Sequence, residues 1–153
     1  MMLAWTDQHP ASFALALFAM LALFWIGVSL VISRAGGWHA LAGRFRFEEK
    51  FSGVHWRWQS AQMRWIAAYH NCVTIGASPE GLYVAPFFPF RLAHPPLFIP
   101  WSEVSYSRKK VMFTPMVCFE LGRDQSIPFW VRENLGQRLQ QAAGGAWPAE
   151  SPA

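Results

Sequence analysis

His70 and Cys72 lie two residues apart in "AAYHNCVTIGAS". On a β-strand that spacing puts both side chains on one face, where an imidazole could activate a thiol as a nucleophile. The neighbours argue for a blander role. Cys72 and Cys118 both sit among β-branched and aromatic residues, as buried inert thiols do. Two cysteines are too few for a disulfide framework, so both are read as reduced thiols. His9, His39, His55 and His94 never pair with one another or with His70 at i, i+4, and no Cys/His group has zinc-site spacing. G-x-S-x-G, a phosphate loop and a dinucleotide fingerprint are all missing from the sequence. "GASPEG", Gly76 to Gly81, is explained by a hairpin turn, and the adjacent Glu48 and Glu49 by a solvated helix end. No catalytic, cofactor-binding or metal-binding residue is assigned, and no enzyme activity or small-molecule substrate is expected.

Composition points elsewhere. The chain has 153 residues, of which 53% are hydrophobic and only 14% charged, against about 25% charged in ordinary soluble domains. Nine tryptophans strengthen the contrast, since Trp favours surfaces that are apolar on one side and wet on the other. All thirteen Lys and Arg lie at Arg34 or later, with eight of the nine acids, so that part carries +5. This charge suits an anionic membrane surface but is too scattered for nucleic acid. Arg108, Lys109 and Lys110 form the one basic cluster and read as a solvated strand end or turn.

The elements that would position these residues begin with a helix. From Gln8 to Ser33 there is no Asp, Glu, Lys or Arg, and Ala11 to Ser33 is almost wholly apolar. About 22 residues make roughly 33 Å of helix, enough to cross a ~30 Å hydrocarbon layer. Residues 11–33 are therefore predicted to be a transmembrane helix rather than a cleaved signal peptide, because Asp7 replaces the usual basic n-region. Trp5 and Trp38 would mark the headgroup zones. Arg34, Arg44, Arg46 and Lys50 follow the helix and no cation precedes it. The positive-inside rule then predicts residues 1–10 as a short extracytoplasmic N-terminus and a cytoplasmic C-terminal domain, in a bacterial inner membrane.

Trp38, Leu41, Ala42 and Phe45 recur at helical spacing, so residues 34–50 are predicted as a juxtamembrane amphipathic helix and linker, lying on the membrane or packed on the domain. After Gly53 the period shortens. Val54, Trp56 and Trp58 alternate with His55 and Arg57, and six further short strands follow up to "SIPFWV". Val131, Leu135 and Leu139 then mark one face of a C-terminal helix. The expected fold class is membrane-anchored α+β: one transmembrane helix, then a seven-stranded antiparallel barrel or curved sheet over 53–144, capped by that helix. Residues 145–153 are expected to be a flexible tail.

"VTIGASPEGLYVAPFF…HPPLFIPWSEV", Val73 to Val104, resembles the core of bacterial pleckstrin-homology-like (PH-like, GRAM-like) domains. The matching steps are Gly81-Leu82-Tyr83 and Ile99-Pro100-Trp101-Ser102-Glu103-Val104. The Arg34–Gly144 body resembles small bacterial membrane proteins with one N-terminal helix. The resemblance implies the fold and leaves lipid binding, peptide binding and scaffolding open.

One stretch remains. "PFFPFRLAHPPLFIPW", residues 86–101, holds five prolines and many large apolar groups. Leu97, Phe98 and Ile99 are predicted to alternate into the core. Phe87, Phe88, Phe90 and Leu92 either cap the barrel or form an exposed ridge that meets lipid or a neighbouring membrane protein, with Arg91 at phosphate level. Phe87, Phe88, Phe90, Arg91 and Leu92, with Trp38, Arg44 and Arg46, are the candidate partner- or membrane-binding residues. The expected function is a non-enzymatic accessory subunit of a membrane complex, with an integral membrane protein partner. The alternative is an anionic-lipid-binding module using residues 86–96 and 44–50. On the anchor, Trp25, Ala14, Ala22 and Gly27 are candidates for packing against partner helices.

Overall fold

The computed structural model describes residues 10–64, 66–88 and 90–151. The expected N-terminal segment with Trp5, Asp7 and His9 lies outside them, as do Trp65, Pro89 and the last two residues.

Helix α1 spans Pro10–Gly36, 27 residues, or about 40 Å of rod. It is long and apolar enough to cross a membrane by length and composition. Nothing in its sequence interrupts the backbone ladder until Gly36-Gly37. Gly37 adopts φ 92°, a left-handed conformation that turns the chain into helix α2, Trp38–Phe45. A Cβ on Gly37 would meet Ile127 Cδ1 at 2.9 Å, and one on Gly36 would meet Ala67 Cβ at 2.7 Å. The two glycines therefore let the helix junction press directly on the sheet.

All seven expected strands form. They are β1 Val54–Met63, β2 Ala67–Ala77, β3 Gly81–Pro86, β4 Leu97–Pro100, β5 Val104–Val111, β6 Thr114–Leu121 and β7 Ile127–Arg132. They make one antiparallel sheet in the order β4-β3-β2-β1-β7-β6-β5. Strand β1 pairs with β2 along its length and with β7 through Gln62↔Trp130 and Met63↔Phe129, so the sheet curls about β1 into a half-barrel. Its inner face carries Val73, Ile75, Leu82, Val84, Phe119, Leu121, Ile127 and Phe129, all buried. Helix α3, Glu133–Ala143, lays Leu135, Leu139 and Ala143 on that core. The architecture is compatible with a PH-like fold.

Two expectations change. Trp56 and Trp58 do not share a face, because β1 is bulged between Trp56 and Gln59, with Trp58 at φ 58°. Trp56 packs on the core, while Trp58 is 60% exposed on the outer side. As far as Ser151, the tail expected to be flexible is also tied down. Trp147 packs between Trp101 and Tyr106, and the Ser151 amide donates to the Tyr106 carbonyl at 2.7 Å.

Candidate functional site

Helix α2 closes one end of the half-barrel. Trp38 and Leu41 are fully buried there and Phe45 nearly so. The Trp38 indole N–H donates to the Pro95 carbonyl at 2.8 Å. Of the two places open to residues 38–45, the structure takes the domain. Trp38 is a core plug and not a headgroup marker, because its ring is enclosed by Tyr69 and His94 in edge contacts at 5.6 and 5.2 Å.

The β3–β4 connection, residues 87–96, runs from Phe87, whose amide bonds to the Cys72 carbonyl, to Pro95 and Pro96 beside α2. On the way it touches α1. The Phe90 ring lies 5.1 Å from that of Trp25, tilted by 52°. Trp25, Ile26, Ser29 and Ser33 form the side of α1 turned to the domain, whereas Ala14 and Gly27 are exposed. The packing partner of Trp25 is thus the chain's own loop.

Phe90 faces inward, but the other apolar loop residues do not. Phe87 is 51% exposed, and Phe88 and Leu92 are both 66% exposed. The re-aimed Trp58 joins them, with its ring 5.0 Å from Phe87. Sequence reasoning misses Trp58, since a bulge breaks the period-two pattern on which its face assignment rests. The loop therefore divides: Phe90 turns to Trp25 of α1, while Phe87, Phe88 and Leu92 project.

The basic candidates divide as well. Arg91 is exposed and its Nε donates to the Pro86 carbonyl at 3.0 Å. Arg44 pairs with Glu103 at 3.6 Å and Asp124 at 3.4 Å, and Arg46 with Glu48 at 2.7 Å. The expected basic flank is thus turned to carboxylates of its own chain. An open groove of about 710 Å³ lies behind the ridge, on the outer face of β1–β3. Phe51 stacks on Tyr83 at 4.4 Å along it, and Lys50, Arg57 and Arg91 face it together with Glu48 and Glu49.

The junction is polar where it is most enclosed. His94 is buried and, among the described residues, has no hydrogen-bond partner at either ring nitrogen; Ser33 Oγ and Tyr69 Oη are in the same state. Burial pushes the His94 pKa down to about 4, opposed by the nearby Phe90 carbonyl. Burial raises the Tyr69 hydroxyl, with Cys72 adding to it. The Cys72 thiol is raised by burial against its backbone bond to His70, and Cys118 is pushed up to about 11, chiefly by burial. Both thiols are free cysteines, held protonated at neutral pH.

No protein-family model, curated protein or solved structure matches the chain.

Proposed function

We propose that the chain is a single-pass membrane protein. Its PH-like domain is clamped to its own anchor helix and serves as a non-catalytic binding and scaffolding module, an accessory subunit for an integral membrane partner. The observation that carries this reading is the Trp25–Phe90 contact. Trp25 lies about 16 Å along α1 from Gly36 and about 22 Å from Pro10. A ~30 Å hydrocarbon layer starting near Pro10 takes in Trp25, and with it the loop that touches Trp25. Phe87, Phe88, Leu92 and Trp58 then extend the apolar surface of α1 sideways at lipid depth. In water such a surface would invite aggregation, and in a bilayer it faces either acyl chains or another helix. With the positive flank of Arg34, Arg44, Arg46 and Lys50, the domain lies on the cytoplasmic side of a bacterial inner membrane.

Purification in mild detergent with α1 intact tests this reading. A membrane protein is expected to co-purify in fixed proportion and to be lost with Phe87→Ser/Phe88→Ser. Recovery of the chain alone at monomer mass contradicts the accessory role.

A second reading, anionic-lipid binding, is favoured by Arg91 at the ridge and by Lys50 and Arg57 in the groove behind it. Arg44 and Arg46 bring less charge to it, because each is shared with carboxylates of its own chain, Glu103 and Asp124 or Glu48. Flotation of the full chain on anionic and neutral liposomes at two salt concentrations separates the two. A lipid-binding domain adds an anionic preference that weakens with salt, and a helix–helix contact does not.

A further inference from the structure

Strands β5 and β6 are joined by a two-residue turn. Val111 pairs with Thr114, and Met112 and Phe113 fill the two central positions. Both have positive φ, 48° and 69°. That is the backbone of the tight hairpin turn that asks for Asn-Gly, because a Cβ at either position is strained. The turn also leaves both side chains in the open, with Met112 89% and Phe113 99% exposed. Strain and exposure of large apolar groups thus coincide, and among the described residues nothing offsets either.

Asn71 shows what an offset looks like. It too has positive φ, 52°, but Asn tolerates that region, and Ser60 holds both its amide and its side chain at 2.9 and 3.1 Å. Met112 and Phe113 have no equivalent. Backbone strain of this kind clusters at sites of function and contact, which makes the turn a candidate for one.

The charges beside the turn describe that contact. Arg108, Lys109 and Lys110 lead into it and are all exposed. Arg108 donates to Gln140 at 3.1 Å, and Lys109 stands 6.0 Å from the Trp130 ring centroid. Among the described residues none of the three forms an ion pair with a carboxylate, unlike Arg44 and Arg46. The location matters too. The far end of β6 reaches Gly122, which packs by Leu41 of α2 at the helix junction. Eight residues of strand separate the turn from that end, about 26 Å. The turn therefore projects from the end of β6 remote from the helix junction.

We propose that the β5–β6 turn is a second docking site, with Met112 and Phe113 entering an apolar pocket on an acidic protein whose carboxylates meet Arg108, Lys109 and Lys110. This site is separate from the ridge beside α1 and stands whether or not that ridge meets lipid or protein.

The test is a turn that is better for the fold and worse for binding. Met112→Asn/Phe113→Gly in the full chain is expected to raise Tm by roughly 3 to 6 °C, because it relieves two strained residues. A photo-reactive phenylalanine analogue at Met112, in native membranes, is expected to give one discrete protein adduct that a probe at Gln137 on α3 does not give. The adduct protein, purified, is expected to bind the intact chain at least tenfold more tightly than it binds the Asn-Gly variant or Lys109→Glu/Lys110→Glu, with affinity falling as salt rises. Equal binding by the Asn-Gly variant, absence of a specific adduct, or protection of the turn by phosphatidylglycerol vesicles alone each overturns the proposal. The last result would make the turn a membrane contact.

Discussion

The Trp25 and Phe90 rings meet at 5.1 Å although one belongs to the apolar helix and the other to a loop of the β domain. That contact removes the freedom a tether would normally leave. The domain does not hang from α1 on a linker, since Gly36 presses on Ala67 and Trp38 is buried within two residues of the helix end. Loop and helix form one surface.

The first expected outcome concerns that contact. Phe90→Ala removes a half-buried ring and one aromatic pair, so it is expected to cost about 1 to 2 kcal/mol. Phe119→Ala, in the fully buried core, is expected to cost about 3 to 5 kcal/mol. Thermal unfolding in detergent compares them. A Phe90 cost as large as that of Phe119 would make the loop a core cap and not a clasp.

Phe87→Ser and Phe88→Ser act on side chains that are more than half exposed. Together they are expected to shift stability by less than about 1 kcal/mol. The measurable change is in membrane partition, read by the detergent needed to extract the chain.

Gly37→Val places a branched side chain at φ 92° against Ile127. It is expected to cost about 2 to 4 kcal/mol and to open the α1–α2 junction to protease. Gly43→Ala, inside α2 and with nothing within 4 Å of the added methyl, is the control and is expected to keep the junction closed and raise stability by about 0.5 to 1 kcal/mol.

His94 predicts an acid-sensitive junction. Its folded pKa is depressed from 6.5 to about 4, so the unfolded chain binds the proton first as pH falls. Stability is therefore full above pH 6.5 and declines as pH drops towards 4, by roughly 3 kcal/mol in all. His94→Phe is expected to flatten that part of a Tm-against-pH curve. An unchanged slope would place the acid sensitivity elsewhere.

Much of this fold can be read from residue order. The uncharged run before Arg34 specifies α1, and the turn at Ser78–Gly81 and the strand alternation specify the hairpins. What residue order does not carry is how distant pieces meet. Trp38 looks the same at a membrane surface as in a core, and only the closure of the half-barrel by α2 decides. Arg44 meets Glu103 and Asp124 because the curled sheet returns their loops to α2. Trp58 lies on the face opposite to the one its spacing predicts, because one bulge inverts a period-two pattern. The candidate ridge is legible as a list of phenylalanines, but not the inward turn of Phe90 or the arrival of Trp58.

The most direct measurement is the depth of residue 88. A spin label at Phe88→Cys, in a chain with Cys72→Ala and Cys118→Ala reconstituted into liposomes, is compared with one at Thr114→Cys, at the end of β6 remote from the helix junction. The label at 88 is expected to be relaxed by oxygen dissolved in the bilayer and shielded from a water-soluble nickel complex, with the reverse at 114. If both labels respond equally to the nickel complex, the loop stands in water and the shared membrane surface of α1 and residues 87–92 does not exist.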